Sequence, residues 1–293
     1  MSIVAYADGI KALRGTYLDQ PAVVSIETFA QCNAACGFCP YPDLTRKGAR
    51  LDDEIVYRLL DEIAAFPQAL PIRINFSRVN EPFLDARIFD FCHYAERAIP
   101  HASLVFFTNG TPLNVRNISR LAELSRVAYL NVSFNDHRAA EYERVMQLPF
   151  APTLAVLNRL HAAVSDGRLA FPITLSRVGD GTSADNEFIE WCANSYPLFE
   201  AHSDPRGDWM GARPNAEPAD VPDVGCSQWM KLHVLADGRE AFCCIDAEGQ
   251  FGHGSVHEKT LLEIYNAPSR RALRTAMLSR RSVEACLKCP LLS

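Results

Sequence analysis

Hydrophobic and polar positions follow two alternating rhythms along this chain. Residues 22–28 (AVVSIET) form a short β-branched run suited to a strand. Residues 53–66 then place Ile55, Leu59, Leu60 and Ile63 at helical spacing. Residues 71–77 (PIRINFS) predict a second strand and 86–98 a second helix. Residues 103–108 (SLVFFT) predict a third strand, closed by Asn109-Gly110, with a helix at 115–124. The series continues with a strand at 127–134, a helix at 153–164, a strand at 171–178 and a helix at 186–194; residues 196–202 predict the last strand. About six βα units predict an α/β fold with a mostly parallel sheet, closer to a partial (β/α)6-type barrel than to a closed eightfold one. In such folds the chemistry gathers at the C-terminal ends of the strands.

The rhythm breaks after residue 203. Residues 204–223 (DPRGDWMGARPNAEPADVPD) carry four prolines and two glycines and predict a connecting loop. The expected organisation is a barrel at 1–203, a linker at 204–225 and a small C-terminal unit at 226–293. In that unit 232–235 and 240–243 predict a hairpin around Ala236-Asp237-Gly238. Thr260-Leu-Leu-Glu263 has the form of a capping box, and 269–278 predicts another helix.

Composition narrows the classes. The 293 residues are 48% hydrophobic and 22% charged, which suits a folded core and excludes bulk disorder. A net charge of −6 argues against a nucleic-acid surface and suits a cationic substrate. The N-terminus lacks a basic segment followed by an apolar run, and no stretch reaches membrane-spanning length, so a cytoplasmic location is expected. Ten cysteines in a reducing compartment point to metal binding rather than disulfides.

Directly after the first strand the sequence reads Cys32-Asn-Ala-Ala-Cys36-Gly-Phe-Cys39. Thiolates are the ligands iron–sulfur clusters prefer. Three of them leave one iron of a cubane open for a small molecule. The competing reading is a structural zinc site or three buried core cysteines, and three ligands with no nearby fourth make a poor zinc site. Near the C-terminus Cys226 is followed by Gly238, Cys243 and Cys244, then by Cys286-x2-Cys289. Spacing alone leaves zinc and a 4Fe-4S cluster both open for this second group.

The Cys-x3-Cys-x2-Cys pattern, with an aromatic before its last cysteine and a strand before its first, resembles the radical S-adenosylmethionine (SAM) superfamily. The resemblance implies that Cys32, Cys36 and Cys39 hold a 4Fe-4S cluster whose open iron binds SAM. Cleavage of SAM then yields a 5′-deoxyadenosyl radical that abstracts a hydrogen from substrate. It further implies that Glu81, in an Asn80-Glu81-Pro82 turn that lacks the family's two glycines, contacts the SAM amino group. Ser133 would contact the ribose, Arg177 the SAM carboxylate, and the Phe38 backbone the adenine.

The Cys-x11-Gly-x4-Cys opening is similar to the SPASM and twitch extensions of that superfamily. The resemblance implies a second, auxiliary 4Fe-4S cluster on Cys226, Cys243, Cys286 and Cys289, in the shorter twitch form. Cys92 and Cys192 fall in amphipathic helices and read as small buried hydrophobes. Cys244 is left over as an alternative ligand, a bystander or a thiol facing substrate.

Relatives with a twitch extension include a neomycin-type aminoglycoside epimerase and an aminocyclitol dehydrogenase. The main expectation is therefore epimerisation of an amino-sugar or aminoglycoside ring carbon, with Cys244 as hydrogen donor. Oxidation of an aminocyclitol or sugar alcohol to a ketone is the alternative, and a peptide-modifying SPASM-type maturase ranks third. An external one-electron reductant, a flavodoxin or ferredoxin, is the expected partner. A non-enzymatic metal-binding regulator is the remaining class, and it predicts metal without SAM cleavage.

Overall fold

The computed structural model describes residues 3–213, 220–276, 278–287, 289 and 291. Helix α1 (Ile3–Thr16) precedes the first strand. Six parallel strands follow: β1 (Val23–Ile26), β2 (Ile72–Asn75), β3 (Ala102–Thr108), β4 (Val127–Ser133), β5 (Ile173–Gly179) and β6 (Glu200–Pro205). Between them run α2 (Asp53–Ala64), α3 (Ile88–Ala98), α4 (Val115–Ala122), α5 (Ala139–Met146), α6 (Phe150–Ser165) and α7 (Ser183–Ser195). The expected open α/β barrel is therefore present, with each crossover helix covering the outer face of the sheet.

The sheet does not stop at six strands. After the 204–225 segment, β7 (Lys231–Val234) pairs in parallel with β1, and β8 (Glu240–Ala241) folds back antiparallel on β7. The full order is β6-β5-β4-β3-β2-β1-β7-β8. The hairpin expected in a separate C-terminal unit is thus a continuation of the barrel sheet. The boundary expected at residue 203 also falls inside β6.

Two cores result. The main one packs the outward strand residues Val24, Ile26, Ile74, Phe106, Leu130 and Leu175 against the helices. The second joins Tyr6 and Ile10 of α1 to Cys226, Trp229, Met230, Phe242, Cys243 and Cys286. The N-terminal helix therefore belongs structurally to the C-terminal cysteine region.

The hairpin turn explains the glycine of the second cysteine motif. Gly238 sits at φ +83, and a Cβ there would meet the His257 ring at 2.3 Å, so both backbone and space demand glycine. The expected capping box is formed: Thr260 and Glu263 exchange side-chain-to-backbone hydrogen bonds at the start of α8 (Leu261–Tyr265). Helix α9 (Pro268–Ala276) follows it.

Candidate active site

Period-two geometry and the strand register fix which side chains face the barrel interior, since registered partners in a parallel pair point the same way. Ser25 registers with Asn75 and His233. Phe107 registers with Asn131, Asn131 with Thr174, and Ser133 with Ser176. Ser176 registers with His202, and Val178 with Asp204. The lumen wall is accordingly rich in amides and hydroxyls. Asn131 bridges two strands, donating to Ser176 Oγ at 2.8 Å and accepting from Thr174 Oγ1 at 2.8 Å. On the edge strand His202 Nε2 lies 3.3 Å from Asp204 Oδ2, and that hydrogen bond raises the imidazole pKa above its ordinary value.

The first cysteine group lies on the loop after β1. Cys36 is buried, while Cys32 and Cys39 are half-buried. Burial pushes the Cys32 thiol up to about 11 and raises Cys36 further; the other two thiols add to the rise at Cys36. This electrostatic cost of three neighbouring buried thiolates is one that a bound cation relieves. The loop rests on α5, which the hydrophobic pattern did not reveal. Gly37 N donates to Val145 O at 3.1 Å, and Cys36 Sγ lies 3.5 Å from Met146 Sδ.

Glu81 is buried beside this loop. It accepts from Thr108 Oγ1 at 2.8 Å, from Asn109 N at 2.7 Å and from Phe83 N at 3.2 Å. Burial pushes its carboxyl up to about 7 despite those donors. It ties its own turn to the end of β3, where Asn109 Nδ2 lies 3.9 Å from Cys32 Sγ. Ser133 is half-buried on the lumen side at the end of β4.

Two residues expected to contact SAM, Arg177 and Phe38, hold protein partners. Arg177 is buried and its guanidinium is enclosed by acids: Nε donates to Asp185 at 2.8 Å, Nη1 to Asp136 at 2.7 Å and Nη2 to Asp180 at 3.0 Å, with Asn135 O accepting from Nη1 as well. No bidentate edge is left for a ligand carboxylate, so Arg177 is a strut joining the ends of β4 and β5. The Phe38 carbonyl accepts the Trp209 indole N–H at 2.9 Å.

Trp209 comes from the proline-rich stretch expected to be a plain linker. That segment packs on the cluster loop, where Arg213 Nε also donates to Cys39 O at 3.0 Å. Trp209 and Met210 both hold φ near +50, a strained backbone for non-glycine residues. Phe38, Val178, Pro205, Gly207, Trp209 and Ile245 are among the residues lining an open cavity of about 170 Å³ at the ends of β5 and β6.

The second cysteine group converges as well. Cys226, Cys243, Cys244, Cys286 and Cys289 all line one cavity, together with Trp229 and Arg280. Tyr6 reaches it from α1, with its hydroxyl 3.9 Å from Cys226 Sγ. On the barrel side Arg78 Nη2 donates to Cys243 O at 2.9 Å. Glu27, fully buried after β1, pairs with Arg46 and accepts from Val79 N and Ala236 N, both at 3.1 Å. Cys92 and Cys192 are buried in α3 and α7, away from both groups.

The donor set fits an iron–sulfur cluster. Five thiols share one cavity wall, and thiolates are the ligands that iron–sulfur clusters prefer. The cavity wall also holds buried N–H groups in want of acceptors: among the described residues Arg280 Nη2 has no hydrogen-bond partner, and Trp229 Nε1 has none beyond its approach to the Cys286 thiol.

Comparison with known proteins agrees with this geometry. Residues 26–181, more than half of the chain, match the family model of the radical SAM superfamily, and the chain belongs to that superfamily. Residues 226–290 match the SPASM iron–sulfur cluster-binding domain, so the C-terminal region is an extension of that type. The protein is thus an enzyme that uses SAM, a 4Fe-4S cluster and auxiliary iron–sulfur binding.

A SAM-dependent 2-deoxy-scyllo-inosamine dehydrogenase from Niallia circulans is 29% identical over 104 residues, which is 35% of this chain and 41% of that one. The matched part is therefore about two fifths of the relative. The crystal structure of BtrN with AdoMet and 2-DOIA superimposes with a TM-score of 0.62 at 17% identity, covering 93% of this chain and 94% of that one. Streptococcus suis SuiB bound to its precursor peptide SuiA gives 0.69 at 14% identity, covering 99% and 73%. At such identities the two structures establish the shared fold. Among the described residues no helix is long and apolar enough to cross a membrane.

Proposed function

We propose that this enzyme oxidises a carbinol carbon of a small, hydroxylated, amine-bearing ring to a ketone. The single observation that carries the substrate class is the lumen wall, in which Asn75, Asn131, Ser133, Thr174 and Ser176 present amides and hydroxyls. The dehydrogenase relative supports oxidation over epimerisation, the main expectation from sequence. The position of Cys244 adds to this. It lies on the wall of the cavity formed with the other four thiols, beside the auxiliary site, which favours a bystander over a hydrogen donor to substrate.

In this reading Cys32, Cys36 and Cys39 hold the SAM-binding cluster, and Cys226, Cys243, Cys286 and Cys289 hold a second cubane. When bound, SAM and the two clusters supply a hydrogen-atom acceptor and a one-electron acceptor. Glu81 fixes the end of β3 against the cluster loop, and Ser133 faces the ribose. Trp209 closes the linker over Phe38 and excludes water. His202, oriented by Asp204, takes the hydroxyl proton. The acidic residues Glu200 and Asp204 of the same strand suit a ring that carries an ammonium group. A flavodoxin or ferredoxin supplies the electron that starts each turnover.

Product analysis with aminocyclitols in deuterated water tests the proposal. A ketone without solvent deuterium, still formed by Cys244→Ala, is expected. An inverted product carrying one solvent deuterium, abolished by Cys244→Ala, would establish the epimerase instead.

A further inference from the structure

Arg280 enters the auxiliary cavity from a short turn after α9, and its guanidinium is fully buried. Two of its nitrogens are spent on structure: Nε donates to Val224 O at 3.3 Å and Nη1 to Leu291 O. The third, Nη2, is buried and has no hydrogen-bond partner among the described residues, on a wall formed by five cysteines. The Trp229 ring is also buried on that wall, and its Nε1 approaches only the Cys286 thiol. A buried N–H without an acceptor costs about 1–3 kcal/mol, and native structures rarely tolerate one without a reason. The guanidinium lies over the Tyr6 ring, 5.7 Å from its centroid, and a buried cation is otherwise costly without a compensating anion. Among the described residues of this wall no carboxylate answers Arg280.

We infer that Arg280 and Trp229 are positioning residues that hydrogen-bond the sulfurs of the auxiliary cluster and set its reduction potential. The inference rests on the assignment of a cubane to Cys226, Cys243, Cys286 and Cys289. A cubane with four thiolates carries net negative charge, which grows by one on reduction. A buried guanidinium and an indole N–H aimed at its sulfurs stabilise the reduced form more than the oxidised one and raise the potential. The cluster is thereby made an electron acceptor, as oxidation of a carbinol requires. Arg280 contributes charge and hydrogen bonding, while Trp229 contributes hydrogen bonding alone, so the two separate experimentally.

The test is a redox titration of the full chain carrying Cys32→Ala, Cys36→Ala and Cys39→Ala, so that only the auxiliary cluster reports by electron paramagnetic resonance. Adding Arg280→Gln is expected to lower the equilibrium constant for reduction at least tenfold, which is about 59 mV for a one-electron couple. Trp229→Phe keeps the ring, deletes the donor and is expected to shift the potential in the same direction by less. Unchanged potentials in both variants overturn the inference. If Arg280→Gln fails to retain its iron, Trp229→Phe decides: a lowered potential supports the inference and an unchanged one overturns it. A parent triple variant without iron would instead defeat the auxiliary-cluster assignment, an outcome distinct from the others.

Discussion

The indole N–H of Trp209 donates to the carbonyl of Phe38 at 2.9 Å, joining the end of the barrel to the middle of the first cysteine motif. The carbonyl keeps a second lone pair, so adenine can still be accepted there while Trp209 fixes its direction. Trp209→Phe preserves the ring and removes the donor. The expected result is a three- to tenfold weaker affinity for SAM, matching the roughly 0.5–1.5 kcal/mol of one hydrogen bond. Anaerobic equilibrium dialysis measures it, and an unchanged Kd would show the contact to be incidental.

Much of this site was legible in sequence, and the exceptions have physical causes. The cysteine motifs announced themselves by spacing, and the main helices and strands by period. Strand β6 was expected at 196–202 because Tyr196 and Phe199 are apolar. Those rings instead stack on each other at the end of α7. The true strand lies at the sheet edge with a polar lumen face, so it has no apolar alternation to read. Helices α1 and α5 went unassigned, α1 because its buried residues, Tyr6 and Ile10, meet chain more than two hundred residues away. Arg280 and Trp229 carried no local signal at all, since their meaning comes from what surrounds them.

Replacing Cys32, Cys36 and Cys39 together by Ala is expected to abolish formation of 5′-deoxyadenosine. The protein should stay brown and keep about four irons, as one fully ligated cubane requires. Chromatographic detection of the nucleoside and an iron assay check both halves. Undiminished SAM cleavage would remove these residues from the site.

Arg177 holds three acids, and its loss should show in the acid limb of stability. Burial would raise Asp136, but hydrogen bonds from Arg138 and the charge of Arg177 outweigh it and hold the carboxyl below its usual value of 3.8; Asp185 is also lowered. Groups with depressed folded values contribute stability above about pH 4, and that stability is lost as pH falls through the folded values. Arg177→Met is expected to cost about 3 kcal/mol at neutral pH by stripping a buried carboxylate of a partner. It should also flatten the fall in Tm between pH 5 and pH 3, within the span over which such acid losses develop. Thermal melts across that range would show it, and a wild-type profile in the variant would refute the assignment of Arg177 as a strut.

Strand β1 finds one neighbour about fifty residues downstream and the other, β7, more than two hundred residues downstream. During synthesis the edge of β1 that precedes the first cysteine loop therefore waits unpaired until the C-terminal hairpin has emerged. Open strand edges invite association with other chains, and contacts this distant in sequence form late. The hairpin thus acts as a completion signal: a nascent chain interrupted before residue 231 carries a full set of SAM-site thiols on a sheet that cannot yet close its flank.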